Sequence, residues 1–235
     1  MRRLFPLLLG LLLLPAYAQN TLTADELAAK NIQARGGTAK LAALKTLRAT
    51  YTSEEDGKPV QLIELQKRPN KLRRNITFGK NNVIFGYDGQ TAWQSSGKKP
   101  SAAPADLALE LKEEADMDGP LVNYKEKGSK LELAGKEKFN QKDVYNLKIT
   151  LKEGQVRNIY LDARSFLEVK ETGFFEKGGQ RVDFVTIYKS YRPVQGILFP
   201  FVIEQKAGDE ENQITYLKKM ELNVPIADSV FTMPH

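Results

Sequence analysis

The chain has 235 residues, 41% of them hydrophobic and 27% charged, with 35 Lys and Arg against 29 Asp and Glu. It contains no Cys, which excludes a disulfide framework and thiol chemistry, and stability must come from an apolar core. The single His is the last residue, His235, a poor position for a fixed site. Ser-His and Cys-His nucleophiles and His-rich metal centres are therefore excluded, and carboxylate chemistry is the one enzymatic option left.

Met1-Arg2-Arg3, the apolar run Leu4 to Leu14 and the small-x-small triplet Ala16-Tyr17-Ala18 have the order of a cleavable export signal. The run is about 11 residues, short of the roughly 20 that span a bilayer. Residues 1–18 are read as a signal peptide and 19–235 as a single domain. Loss of Arg2 and Arg3 leaves 33 basic against 29 acidic residues. With no Cys after the cleavage site to carry a lipid, the expected product is released after export, without a lipid tether or stable membrane insertion.

Thr23-Ala24-Asp25-Glu26 has the spacing of a capping box and predicts a helix start. Leu27, Ala28, Ile32, Leu41 and Leu44 continue an apolar stripe that Gly36-Gly37 divides into two short helices. From Thr46 the period changes toward two. Strands are predicted at 46–54, 58–67, 71–78, 82–87, 90–95, 130–139, 143–152, 155–162, 167–176, 180–190, 197–206 and 212–222, with some expected to merge or drop out. Asp56-Gly57, Asp88-Gly89, Glu153-Gly154 and Gly178-Gly179 mark hairpin turns, so the strands should form an antiparallel meander. Between two blocks of strands, 103–123 reads as a helix followed by a Gly119-Pro120 loop.

The expected fold is mainly β: a strongly curved antiparallel half-barrel whose apolar concave face is covered by two or three short helices. Its interior is either filled by side chains or kept as a cavity, the filled core being the ordinary outcome for any one residue. Twelve residues are candidates to line it: Ile63, Leu65, Leu72, Ile76, Phe78, Phe85, Trp93, Leu147, Ile149, Phe184, Phe199 and Phe201.

Gln66-Lys67-Arg68-Pro69-Asn70-Lys71-Leu72-Arg73 stands out because Arg68 ends one strand before a Pro turn. Its five donors can hold several carbonyls of a covering helix at once, although a solvated turn is an equal alternative. Lys67, Arg68, Lys71, Arg73 and Arg74 also invite a nucleic-acid reading, which export and near-balanced charge oppose. The carboxylates Glu113 and Asp116 share one helical stretch, a spacing that usually marks a solvated face. The sequon at Asn75-Ile76-Thr77 falls inside a strand, and Asp116-Met117-Asp118-Gly119 lacks the later ligands of a calcium loop.

Several motifs together resemble a known family. Lys67-Arg68-Pro69-Asn70, Tyr87-Asp88-Gly89-Gln90-Thr91-Ala92-Trp93 and Ser229 to Pro234 are similar to those of the periplasmic outer-membrane lipoprotein carriers, the Lol family. Ala34-Arg35-Gly36-Gly37, Asp118-Gly119-Pro120-Leu121-Val122, Tyr160-Leu161-Asp162-Ala163 and Gly196-Ile197-Leu198-Phe199-Pro200 resemble more closely the outer-membrane lipoprotein-sorting proteins. The resemblance implies a bent, incomplete barrel that receives lipoprotein acyl chains, or another lipid, under a helical lid and passes them to an outer-membrane acceptor. It makes Arg68 the residue that keeps the lid closed. The expected protein is a monomer with no cofactor, no nucleic-acid partner and no enzymatic activity. The alternative it carries is a periplasmic sensor domain that regulates an envelope-stress partner. The chain departs from the carriers in having Leu72 and Arg74 where aromatic residues usually follow the motif, so a more polar or differently shaped cavity mouth is expected.

Overall fold

A computed structural model describes residues 22–97 and 99–234. The proposed signal peptide and His235 lie outside the described residues. Helix α1 (Ala24–Arg35) begins at the expected capping box, with the Thr23 hydroxyl accepting from the Glu26 amide and the Glu26 carboxylate accepting from the Thr23 amide. After Gly36-Gly37 the chain re-enters a helix, α2 (Thr38–Ala43). Gly36 has φ of 136°, and a Cβ there would stand 2.6 Å from the Gly196 carbonyl oxygen, so glycine lets the junction of α1 and α2 touch a sheet hairpin.

The strands are β1 (Thr46–Glu55), β2 (Lys58–Lys67), β3 (Lys71–Phe78), β4 (Asn81–Tyr87), β5 (Ala92–Ser95), β6 (Ser101–Ala102), β7 (Lys130–Phe139), β8 (Lys142–Thr150), β9 (Val156–Asp162), β10 (Glu168–Lys177), β11 (Gln180–Val194), β12 (Ile197–Ala207) and β13 (Gln213–Leu222). All twelve candidate strands form, so none merges or drops out as some were expected to; the two-residue β6 was not foreseen, being too short to show a period. The helix expected over 103–123 is α3 (Ala105–Glu114), and turns occupy the rest.

The strands make one antiparallel sheet in the order β6-β5-β4-β3-β2-β1-β13-β12-β11-β10-β9-β8-β7. Two meanders meet where β1 pairs with β13, and the sheet does not close into a barrel. Residues 103–129 leave the sheet at one outer edge, β6, and re-enter it at the other, β7. The connection must therefore cross from edge to edge, and the packing of Leu111 and Ala115 on Leu72 and Tyr87 takes it over the concave face, where α3 covers the sheet.

Side chains alternate faces along a strand. Packing on the concave side falls into three clusters. Leu27 of α1 meets Leu147, Ile149, Ile159 and Leu161; Leu41 and Leu44 meet Leu47, Ile197, Leu217 and Leu222; Leu111 and Ala115 meet Leu72 and Tyr87. Asn31, fully buried on α1, donates to the Phe166 carbonyl at 2.9 Å.

On the convex side the C-terminal segment lies across the sheet. Trp93 is fully buried there and donates to the carbonyl of Phe231, itself fully buried, at 2.7 Å. Trp93 pairs with Gly86, where a Cβ would stand 2.2 Å from the indole ring. The Gly86→Ala substitution is expected to destabilise the protein by about 1–3 kcal/mol through overpacking, measured by urea denaturation. A change of no more than a few tenths of a kcal/mol would mean the indole yields without cost.

Candidate functional site

The helices fill one part of the concave face. Toward the hairpin ends of β1–β2, β10–β11 and β12–β13 a cleft of about 920 Å³ remains open. Its apolar wall includes Tyr51, Leu62, Ile76, Phe175, Phe184 and Ile203, and Leu109 of α3 looks onto it. The interior is thus both filled and hollow, in different places.

Of the twelve residues expected to line the interior, Ile76 and Phe184 line this cleft. Leu72, Leu147 and Ile149 lie on the same face but are fully buried beneath the helices. Phe85 packs at the edge of the α3 cluster, and Phe199 and Phe201 pack around the α2 cluster. Phe78 is partly buried near the end of β3, cross-strand from Val60. Three residues depart from the expectation outright. Ile63 and Leu65 alternate with Leu62, Glu64 and Gln66, so they face the convex side, and Trp93 faces it too, beneath the C-terminal segment. The physical reason is that β2 turns Glu64 and Gln66 inward, both buried, to meet charged and helical partners. An apolar-inward rule then selects the wrong face.

Arg68 occupies the position its motif suggested. Its Nε donates to the Leu44 carbonyl at 2.6 Å and its Nη2 to the Leu41 carbonyl at 3.0 Å, both at the end of α2. The same guanidinium donates from Nη1 and Nη2 to the two Asp118 oxygens at 2.7 and 2.5 Å. Arg35 donates to the Asp118 carbonyl at 3.0 Å. One guanidinium thus joins the β2–β3 turn, the end of α2 and the loop after α3. Burial pushes the Asp118 carboxyl up, but Arg68, through its hydrogen bonds and charge, with Lys127 and Arg35 beyond, brings it below the ordinary value of 3.8. Asp118 appeared in the sequence in a failed calcium loop and at the head of the family-like Asp118-Gly119-Pro120-Leu121-Val122 motif, but not as a partner of Arg68.

The other members of the basic run also have partners, and they divide between the two faces. Lys67 and Lys71 pair with Asp228, and Arg73 donates to the Val230 carbonyl at 2.9 Å, all holding the C-terminal segment. Arg74 turns inward.

Inside the cleft lie two charged groups that sequence reasoning missed. On one wing Arg74 donates from Nε to Glu64 at 2.7 Å and from Nη1 to Glu114 of α3. On the other Arg157 donates to Glu171 at 3.0 Å and to Glu113 of α3, with the Tyr188 hydroxyl on Glu171 at 2.9 Å. Glu113 and Asp116, considered above as a solvated or catalytic pair, are instead held by different cations, Arg157 and Lys127. Burial pushes the Glu113 carboxyl up despite Arg157, and burial together with the charge of Glu114 pushes Glu110 up. Arg74 gives the cleft the polar character expected from the departure after the Lys-Arg-Pro-Asn motif.

No family model matches the sequence, and no curated protein matches it. Solved structures do match in fold. A LolA superfamily protein from Nitrosomonas europaea superposes with a TM-score of 0.60 at 13% identity, covering 90% of this chain and 98% of that one. A DUF1329 family protein from Desulfovibrio piger gives 0.58 at 13% identity, covering 89% and 97%. An outer membrane lipoprotein-sorting protein domain from Vibrio parahaemolyticus gives 0.55 at 11%, covering 87% and 97%. The chain therefore has the Lol-like fold, as its motifs implied.

Because the folded Asp118 carboxyl titrates below its unfolded value, the stability it confers is complete above about pH 4 and is lost as pH falls through the lower folded value. Asp118→Asn should cost about 1–3 kcal/mol near neutral pH. The melting temperatures of the two proteins should converge on acidification; a gap that persists unchanged to about pH 2 would place the stabilisation elsewhere.

Proposed function

We propose that the chain is an exported, periplasmic, non-enzymatic carrier, a single domain over residues 19–235 with the signal at 1–18 removed. It binds the acyl chains of a lipoprotein or another lipid beneath its helices and hands them to an outer-membrane acceptor. It works as a monomer, without a cofactor.

The observation that carries this reading is the open cleft of about 920 Å³ beside helices held by one arginine. Its size suits a lipid-sized ligand. Each buried methylene contributes about 0.8 kcal/mol, so about a dozen contribute on the order of 10 kcal/mol before ordering costs. The Arg68 contacts are a few hydrogen bonds, each worth about 1–3 kcal/mol where a charge is involved. Ligand burial on that scale is comparable to the Arg68 contacts, so occupancy and cover position are coupled in this reading. Arg68 is the lid switch, and Ile76 and Phe184 are the acyl contacts foreseen among the candidate lining residues.

Native mass spectrometry of protein purified from its own envelope is expected to detect bound lipid, and a fluorescent acyl probe should bind the delipidated protein. Consistently lipid-free protein that also ignores the probe would overturn the reading. In Arg68→Leu, amide hydrogen exchange over 38–45 and 115–122 should rise by about ten-fold or more, with ligand retention altered. Unchanged exchange and retention would leave Arg68 a turn residue.

A further inference from the structure

The cleft of a carrier for plain hydrocarbon has no need of two inward-facing arginines, yet Arg74 and Arg157 both line this one, each about a quarter exposed toward it. Each already has a carboxylate from the sheet: Glu64 for Arg74 and Glu171 for Arg157. The sheet by itself is therefore neutral at these two points. The second carboxylate on each comes from α3, through the consecutive residues Glu114 and Glu113, which reach to opposite wings of the sheet.

We propose that Arg74 and Arg157 are the head-group site for an amphiphile with an anionic head, a carboxylate or a phosphate, and that Glu114 and Glu113 occupy this site until the ligand replaces them. The inference rests on the carrier reading above and names the class of lipid that reading leaves open.

Charge bookkeeping favours the exchange. With α3 in place, ten carboxylates line the cleft, four of them on α3, against Arg74, Arg157 and Lys206. The α3 carboxylates are uncomfortable there: Glu113 keeps Oε1 buried without a hydrogen-bond partner among the described residues, and burial raises both Glu110 and Glu113. Displacing α3 removes four of those carboxylates and leaves each arginine one acceptor short, which an anionic head restores like for like. A neutral ester or hydroxyl head would give Nη1 of Arg74 and Nη2 of Arg157 only uncharged acceptors in place of the carboxylates they now have, and so weaker hydrogen bonds. A cationic head would meet the guanidiniums directly. The tail has its place beside the arginines, against Leu62, Ile76, Phe175, Phe184 and Ile203. A planar guanidinium is also the side chain best shaped to take carboxylate or phosphate oxygens in pairs.

The test compares probes that share a tail and differ in head charge: cis-parinaric acid against its methyl ester, and lysophosphatidic acid against the matching monoacylglycerol as competitors. The purified protein should bind each anionic member about ten-fold more tightly than its neutral partner. Inorganic phosphate at millimolar concentration should not displace the acid. In the isosteric Glu113→Gln/Glu114→Gln protein, which retains hydrogen-bonding groups on α3, affinity for the acid should rise by about ten-fold with its preference over the ester at least as large. Arg74→Gln and Arg157→Gln should erase that preference.

Equal binding of acid and ester by the native protein, preference for an alkylamine, or a Glu→Gln double variant with unchanged or weaker acid binding would overturn the head-group site while the carrier reading stood. Full displacement of the acid by inorganic phosphate would show a free-anion site and overturn it as well. If no acyl probe of any charge bound, the carrier reading itself would fail and this inference with it.

Discussion

The chain leaves its curved sheet at one outer edge, returns at the other, and crosses the open side of the curve on the way. Here the crossing segment is 103–129, and its residues bind the interior together. Leu111 and Ala115 enter the cluster on the β3–β5 wing, Val122 the central cluster at the β1–β13 seam, and Leu121 the cluster on the β8–β9 wing. Its charged residues do the same electrostatically: Glu114 reaches β3, Glu113 reaches β9 and Asp118 reaches the β2–β3 turn. Any displacement of this segment therefore changes the apolar packing and the ion pairs together.

The two kinds of contact serve different ends. Apolar burial supplies most of the stabilisation and tolerates small shifts. Half-buried ion pairs return much of their attraction as desolvation, so they contribute modestly to stability while fixing where a helix sits. The arginines are placed accordingly. Arg68 anchors the end of α2 and the Asp118 loop at the closed part of the interior, whereas Arg74 and Arg157 meet α3 in the open cleft. The cover is most firmly packed at one end and electrostatically held at the other. Four of the motifs that suggested the family, at 34–37, 67–70, 118–122 and 196–200, converge on that closed end: Arg35 and Arg68 hold Asp118, and Gly36 admits the close approach of Gly196.

Much of the architecture was legible in the residues. Period-two alternation and Gly-containing turns located the long strands within one to four residues at their ends, because antiparallel meanders with short hairpins are written locally. The Thr23–Glu26 box and the Gly36-Gly37 break marked α1 and α2 for the same reason. Arg68 was legible from its chemistry as either a clasp or a solvated turn, and the clasp came from the resemblance to the carriers.

What the sequence could not decide was which face of a strand is inward and which distant charge meets which. Alternation is symmetric between the two faces, so Ile63 and Leu65 looked like lining while Glu64, beside them, is the residue that faces the cleft. The pairing of Arg157 with Glu113 and of Arg74 with Glu114 joins positions about 40 residues apart. Nothing in local spacing encodes such pairs; they exist because the crossing segment carries one helix over both wings. The strands, turns and caps were thus determined along the chain, and the cleft, with its two arginines, was decided only when the curvature of the sheet and the path of that segment brought them together.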